Sequence, residues 1–174
     1  FEPNEFVTRA HVAALTKRGM EFRQKVESLE VVYDLLQKDY IDTVNHNKQW
    51  EKKILDLVNR ERKKAGHSSI NQDLKLTQIA IIKAKDMVKR NYFEHYSKFY
   101  GNPWDLATLF DYEYTSYGEN LARNFKTPET TVAGWMSSPK HRENILKSTF
   151  THMGIGIEKD KKGKYYVVQH FSSK

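Results

Sequence analysis

Three short motifs lie between Tyr92 and Leu146: Phe93-Glu94-His95-Tyr96-Ser97, Gly118-Glu119-Asn120 and Ser138-Pro139-Lys140-His141-Arg142-Glu143-Asn144-Ile145-Leu146. Each motif places one ionisable side chain, His95, Glu119 or His141, beside residues that are typical of turns and helix caps. Two histidines and a carboxylate are sufficient to hold a divalent cation or to relay a proton. We therefore expect these three side chains to converge in one cleft.

Helices are predicted before the first motif. An apolar face indicates a helix over about 49–65, and Gly66 ends it. A second helix is predicted over about 72–91, with Asn91 as a residue that tolerates the left-handed conformation at its end. A short helix is expected to open at Pro103 and to run to about Phe110.

A strand or extended run over 112–117 is predicted to deliver the Gly118-Glu119-Asn120 motif. The pairs Thr127-Pro128 and Ser138-Pro139 each indicate a helix start, with a capping hydroxyl and a proline in the first turn. Alternating apolar residues over 153–157 and 165–171, around a turn at 160–163, predict a β-hairpin. Because helices and strands do not alternate one for one, we expect an α+β fold with a small antiparallel sheet.

The first 48 residues have a different pattern and are expected to form an N-terminal helical extension, followed by a domain over 49–174. Apolar or small residues recur there with a period of 3.5: Val12, Leu15, Gly19, Phe22, Val26, Leu29, Tyr33, Leu36 and Tyr40. Gly19 suggests an antiparallel helical pair, roughly 5–18 and 20–44. The stripe must pack against a partner helix, a helix folded back or the flank of the domain, and self-association through it is one expectation.

Composition restricts the classes of function. The chain has 174 residues, a net charge of +7 and no cysteine, so disulfides and thiol chemistry are excluded. Residues 1–50 carry 7 Lys/Arg and 8 Asp/Glu, a net −1, so residues 51–174 carry +8. No nucleic-acid-binding motif accompanies the lysines, and we expect no nucleic-acid partner. No apolar run is long enough to span a membrane.

The remaining aromatic and histidine residues receive structural interpretations. Trp104 and Trp135 are expected in the core. The other histidines show no partner pattern and are treated as ordinary surface or strand residues: His11, His46, His67, His152 and His170.

From Leu57 onward the chain resembles bacterial members of the CAP superfamily, named for cysteine-rich secretory proteins, antigen 5 and plant pathogenesis-related protein 1. The matching segments are Leu57-Val58-Asn59-Arg60-Glu61-Arg62, Tyr92-Phe93-Glu94-His95, Pro103-Trp104-Asp105, Gly118-Glu119-Asn120-Leu121-Ala122, Gly134-Trp135-Met136, His141-Arg142-Glu143-Asn144-Ile145-Leu146 and Met153-Gly154-Ile155-Gly156. Each segment is a weak signal alone, whereas their order and spacing over two-thirds of the chain are specific.

The resemblance implies an α-β-α sandwich with a central antiparallel sheet and a cavity that presents two His and two Glu. His95, Glu119 and His141 match three of these positions, as candidate metal ligands or catalytic groups. The fourth, a Glu shortly after the helix tryptophan, has no counterpart, because Ser137 and Ser138 stand near that position. A divalent cation such as Zn²⁺ would then need water to complete four ligands.

Two functions follow as hypotheses. The first is a non-enzymatic binding or interaction module for a lipid or sterol, a divalent cation or a host protein. The alternative is a metal-assisted hydrolase, protease-like, that uses the same cleft; no Gly-x-Ser-x-Gly or His-Glu-x-x-His motif supports it. The resemblance also implies an extracellular location on the bacterial surface, and we expect membrane attachment only through an N-terminal lipid anchor.

Overall fold

The computed structural model describes residues 46–174, so the predicted helical extension lies outside the described residues apart from its last three positions. The elements follow in this order: α1 (Lys48–Lys64), β1 (Asn71–Gln72), α2 (Leu74–Lys89), α3 (Pro103–Leu109), β2 (Ser116–Arg123), α4 (Pro128–Ser137), α5 (Pro139–Leu146), β3 (His152–Lys159) and β4 (Tyr165–Ser173).

The four strands form one sheet in the order β1-β3-β4-β2. The three long strands are antiparallel, and β3 and β4 form the predicted hairpin. The two-residue strand β1 was not anticipated, and it adds a short parallel pair to β3. The long strand β2 is therefore an edge of the sheet, and one side of its backbone is open to contacts from loops and helices.

Helix α2 covers one face of the sheet. It lies so close to β3 that an added Cβ at Gly154 would stand 2.2 Å from the Leu76 carbonyl carbon, and one at Gly156 2.1 Å from that of Ala80. The two glycines therefore make room for helix backbone. Tyr166 and Val168 of β4 pack under the same helix.

The other face of the sheet is covered by α1, α4 and α5. Ile54 and Val58 of α1 pack with Trp135 of α4 and Ile145 of α5 in one core. Arg62 ties this layer together although it is only 1% exposed. Its guanidinium donates to the carbonyls of Ser68, Ile145, Lys147 and Phe150 at 2.8–3.1 Å. The predicted α-β-α sandwich is confirmed.

Several local predictions are also confirmed. Helices α1, α2 and α3 agree with the predicted ranges to within two residues at each end. Gly66 and Asn91 adopt the left-handed conformation, with φ of 78° and 52°, just beyond the helices they were expected to end. The side chain of Thr127 caps α4 by accepting from Thr130 N.

Two predictions were wrong in detail. The extended run was placed over 112–117, whereas β2 begins at Ser116, contains the whole Gly118-Glu119-Asn120 motif and continues to Arg123. Trp135 is buried as expected, but Trp104 is 50% exposed because it lies on the outer face of the short helix α3.

Candidate functional site

His95 and Glu119 are in direct contact. Nδ1 of His95 lies 2.7 Å from Oε1 of Glu119, and the side chain of His95 is 58% exposed while that of Glu119 is 3% exposed. An ionised carboxylate only accepts hydrogen bonds, so Nδ1 carries the proton. The other ring nitrogen, Nε2, is then the one with a free lone pair in the neutral imidazole.

A second histidine holds the other oxygen of Glu119. Nε2 of His170, which is fully buried, donates to Oε2 of Glu119 at 2.8 Å. Nδ1 of His170 lies 2.8 Å from the hydroxyl of Tyr117, which donates to it in the neutral tautomer. The result is a chain of hydrogen bonds from exposed His95 through Glu119 and His170 to Tyr117.

These contacts set the charge on Glu119. Burial alone would raise the pKa of this carboxyl, but the hydrogen bonds from His170 and His95 outweigh burial and hold the pKa below its ordinary value. Tyr117 is half-buried. Burial of its hydroxyl, together with the Glu119 charge, raises its pKa well above the ordinary value. At neutral pH the site therefore contains a buried carboxylate and a neutral tyrosine.

His141 reaches the same region from the opposite face of the sheet. It lies in the first turn of α5, and its carbonyl accepts from the Asn120 side chain at 3.1 Å. Asn144 of the same helix donates to the Glu119 carbonyl at 3.2 Å and to the Asn120 side chain at 2.9 Å. Helix α5 is thus fastened to the open edge of β2 at the Glu119-Asn120 step.

The pKa of His141 reflects its surroundings. It is lowered by burial and, secondly, by the positive charge of His95. The structure thus bonds Glu119 to His95 and places the backbone of His141 against Asn120, the next residue of the same edge strand. Within residues 46–174, no group of three or more His, Asp or Glu side chains is arranged to hold a metal ion.

Two side chains of helix α2 hold the loop that carries His95 through hydrogen bonds. Lys83, only 1% exposed, donates from Nζ to the His95 carbonyl at 2.9 Å and to the Tyr92 hydroxyl at 3.1 Å. One turn later, Asp86 accepts from the Ser97 hydroxyl at 2.7 Å and also from the Tyr92 hydroxyl. Burial lowers the pKa of Lys83.

Sequence reasoning missed His170, which it treated as an ordinary strand residue. The signal that could have found it is register: Glu119 pairs with His170 across β2 and β4, so their side chains leave the same face. His46 was treated in the same way, yet Nδ1 of His46 lies 2.6 Å from Glu51, whose side chain is 1% exposed. Each of these histidines is the partner of a buried carboxylate.

Ser137 stands near the position of the fourth family residue. The Ser137 hydroxyl donates to the carbonyls of Ala133 and Gly134 within α4, at 2.9 and 3.0 Å. It therefore belongs to the helix that carries it and does not replace a cavity glutamate.

The sequence matches one family model and two curated proteins. Residues 55–171 match the model of the cysteine-rich secretory protein family, CAP. The uncharacterized protein YkwD of Bacillus subtilis (strain 168) is 45% identical over 107 residues, which cover 62% of this chain and 42% of that protein. The uncharacterized membrane protein YlbC of the same organism is 37% identical over 116 residues, covering 67% and 32%. The chain thus spans less than half the length of either relative.

Solved structures agree on the fold. An extracellular protein containing an SCP domain from Bacillus anthracis str. Ames superposes with a TM-score of 0.68 at 28% identity, over 72% of this chain and 41% of that one. An outer surface protein from Borrelia burgdorferi gives a TM-score of 0.68 at 20% identity, over 73% and 94%. Extracellular and surface proteins are thus among its structural neighbours. No helix within residues 46–174 has the length and apolar character that crossing a membrane requires.

The family match covers two-thirds of the chain, and the sandwich, the site motifs and the solved relatives are in accord with it. The chain therefore belongs to the cysteine-rich secretory protein (CAP) family, although it contains no cysteine.

Proposed function

We propose that this chain is an extracellular binding module whose ligand site is the pair His95 and His141 at the open edge of β2. The ligand we assign to the pair is a divalent cation, Zn²⁺ in the first instance, with water or a donor atom of a second molecule completing its coordination. Glu119 is then not a metal ligand, which changes the role that the sequence assigned to it.

The observation that carries this proposal is the engagement of both Glu119 oxygens. One accepts from His95 and the other from His170, so Nδ1 of His95 stays protonated and Nε2 is directed away from the carboxylate. Histidines that bind metals commonly donate their second nitrogen to a carboxylate in this way. This contact supports His95 as a ligand through Nε2, and His141 is proposed as the second imidazole.

The same contacts favour binding over hydrolysis. A hydrolase would need a free base or a nucleophile beside the cation, and neither Glu119 oxygen is free. Ser97, the serine next to the His95 motif, is 1% exposed. Its hydroxyl donates to Asp86 and accepts from the backbone N–H groups of Phe99 and Tyr100. It is a structural turn residue.

The test is zinc titration calorimetry on chelator-stripped protein. We expect one site per chain, lost in both His95→Ala and His141→Ala, and unchanged in the control His67→Ala. Binding that survives both substitutions, or that is lost equally in the control, would refute the assignment.

A metal-assisted hydrolase is the second candidate. In it His95, which is exposed and oriented by a carboxylate, would act as the general base instead of a ligand, and His141 would contribute to the cation site. Peptide hydrolysis that is abolished by chelation and by His141→Ala would establish it. Zinc binding without such turnover would support the binding module and exclude the hydrolase.

We also infer an extracellular location, since a solved relative at 28% identity is described as an extracellular protein. Attachment by a lipid anchor is tested by cell fractionation: an anchored protein sediments with membranes, and an unanchored one appears in the culture medium. The molecule that completes the coordination of the cation is proposed to be a lipid, a sterol or a host protein. Each is tested by adding it to the zinc-loaded protein.

A further inference from the structure

One end of the sandwich carries a concentration of lysines that the His95 site does not use. It is the end where β2 and β3 finish, β4 begins, and α1 and α4 start. Its exposed lysines are Lys48, Lys52, Lys53, Lys126, Lys159, Lys161, Lys162 and Lys164. We call this surface the lysine end.

Two grooves run along the lysine end on either side of an aromatic pair. One, of about 560 Å³, is lined by Trp50, Lys52, Lys53 and Lys126 together with the start of α4. The other, of about 430 Å³, is lined by His46, Lys48, Lys159 and Tyr165 among others. The rings of Trp50 and Tyr165 lie 4.7 Å apart, so the grooves flank one shared ridge.

Eight exposed lysines face four carboxylates at this end, Asp56, Glu129, Glu158 and Asp160, so the positive charge is only partly compensated. Lys52 pairs with Asp56 and Lys53 with Glu129, both as exposed pairs of the kind that contribute little energy. The carboxylate of Asp160 accepts from the backbone N–H groups of Lys162 and Lys164, at 2.8 and 2.9 Å, and so belongs to the turn. Lys126, Lys161, Lys162 and Lys164 form no ion pair with any residue of 46–174.

We propose that the lysine end binds a linear polyanion that carries phosphate groups without bases, such as a polyphosphate or a poly(glycerol phosphate) chain. Charge complementarity provides the attraction, and each lysine that meets a phosphate releases a counterion.

The concave surface favours a flexible chain over a bilayer. A strand can enter the two grooves, whereas a flat membrane surface contacts only their rims. The large apolar side chains that are most exposed in the described part of the chain, Leu74, Tyr96 and Trp104, do not line either groove, so nothing here inserts into lipid.

The side chains present also argue against nucleic acid. Recognition of bases uses arginine forks and free aromatic faces on which bases stack. No arginine is among the described residues that line the two grooves. The Trp50 ring is packed against Tyr165 and the Tyr165 ring lies under Lys159, so neither ring offers a free face on both sides.

The lysine end is separate from the His95 site. Arg123 ends β2 four residues after Glu119, which is about 13 Å along a strand. Polyanion binding therefore does not depend on the proposed cation site, and each can be tested without the other.

The experiment measures the affinity of the full chain for inorganic polyphosphate over a series of salt concentrations. Lys48→Gln/Lys126→Gln/Lys159→Gln removes three exposed charges that line the two grooves. The matched control, Lys63→Gln/Lys85→Gln/Lys98→Gln, removes three exposed charges elsewhere, so both variants have the same net charge.

We expect the groove variant to bind at least 10-fold more weakly and to lower the slope of log K against log salt by roughly 2, since each lost contact lowers it by about 0.7. We expect the control to change affinity less than 3-fold. Equal weakening in both variants would reduce the effect to net charge and overturn the proposal. So would no binding by the wild type, tighter binding to single-stranded DNA, or binding to anionic vesicles alone.

Discussion

Glu119 is the residue on which the hydrogen bonds of the cleft depend. Replacing it by glutamine keeps the shape but leaves only one acceptor oxygen. Because Tyr117 fixes the proton of His170 on Nε2, the amide oxygen must face His170 and the amide nitrogen must face His95. His95 would then accept at Nδ1 and carry its proton on Nε2, where a metal would otherwise bind.

We therefore predict that Glu119→Gln weakens zinc binding by 10- to 100-fold although both histidines are intact. The altered tautomer of His95 should be visible by ¹⁵N NMR of the ring. The same substitution should lower the free energy of unfolding by about 1–3 kcal/mol, because a satisfied buried carboxylate is lost. Exposed Glu113→Gln serves as the control, and equal zinc affinity in the two variants would contradict the proposed role of Glu119.

The lowered pKa of His141 predicts that the stability of the protein depends on pH. Its folded-state pKa is lowered by burial and by His95, so the unfolded chain binds this proton more readily. Stability should fall as pH drops through the ordinary value of about 6.5, until the folded-state pKa is passed. Glu119 acts in a separate window: its lowered pKa contributes stability above about 4.5, which is lost as pH falls through the folded value.

Titration by NMR checks the prediction for His141 directly. We expect its pKa below that of an unstructured peptide and a rise towards the ordinary value in His95→Ala. A His141 pKa that is unchanged in this variant would show that burial alone is responsible.

The residue scale also shows what sequence can predict. His95, Glu119 and His141 could be identified because each stands in a motif with its own turn or cap chemistry. His170 could not, since its meaning depends on its register opposite Glu119, 51 positions away along the chain. The prediction that Trp104 lies in the core was wrong for a similar reason. A short helix buries only one of its sides, and its sequence alone does not say which side is buried.

At the scale of elements, the contact between α2 and β3 is set by two glycines. Gly154→Ala or Gly156→Ala would place a Cβ within 2.2 Å of helix backbone, so α2 would have to move as a unit. We predict that each substitution lowers the free energy of unfolding by about 1–3 kcal/mol or more, as overpacking does.

Gly134→Ala provides a matched control for these variants. The added Cβ there meets only the ring of Phe125, a half-buried side chain that can turn aside, and alanine favours the helix. Denaturant unfolding should show near-wild-type stability for this variant. A loss equal to that of Gly154→Ala would indicate a general intolerance of bulk instead of a contact specific to α2.

Helix α2 also holds the loop of His95, through Lys83 and Asp86. Lys83→Met fills the same space but removes the donor to the His95 carbonyl. We predict that the backbone amides of Ser97 and Gly101, which bond each other's carbonyls at 2.8 Å, exchange about 10-fold faster with solvent. Exchange measured on the exposed variant Lys85→Met should match the wild type, and unchanged protection in Lys83→Met would mean that Asp86 alone holds the loop.

Element boundaries were largely predictable because they follow local chemistry. Prolines at the first helical position, Thr127 as a cap, and Gly66 and Asn91 in left-handed conformations all act within a few residues. The strand β1 and the length of β2 were not predictable in this way. Both depend on pairing with β3 or β4, which begin more than 40 positions later.

On the scale of the whole molecule, the candidate site draws on both helical layers and on the edge strand β2 between them. His95 comes from the α2 layer, His141 from the α5 layer, and Glu119 from the strand between them. The geometry of the site therefore depends on how the two layers are positioned relative to each other. Any change that shifts α5 should alter the separation of the two histidines without touching either.

Arg62 sets the position of α5 relative to α1. From the last turn of α1 it donates to the carbonyls of Ile145, Lys147 and Phe150, where α5 ends and the chain turns towards β3. Lysine cannot replace the planar fork, so Arg62→Lys would leave buried carbonyls without donors. We predict a loss of about 2–4 kcal/mol in denaturant unfolding, against no measurable change for exposed Arg60→Lys. Because α5 would lose its anchor, zinc affinity should also fall in the fraction of Arg62→Lys that remains folded. Wild-type zinc affinity in that fraction would show that the Asn120 and Asn144 contacts are enough to position His141.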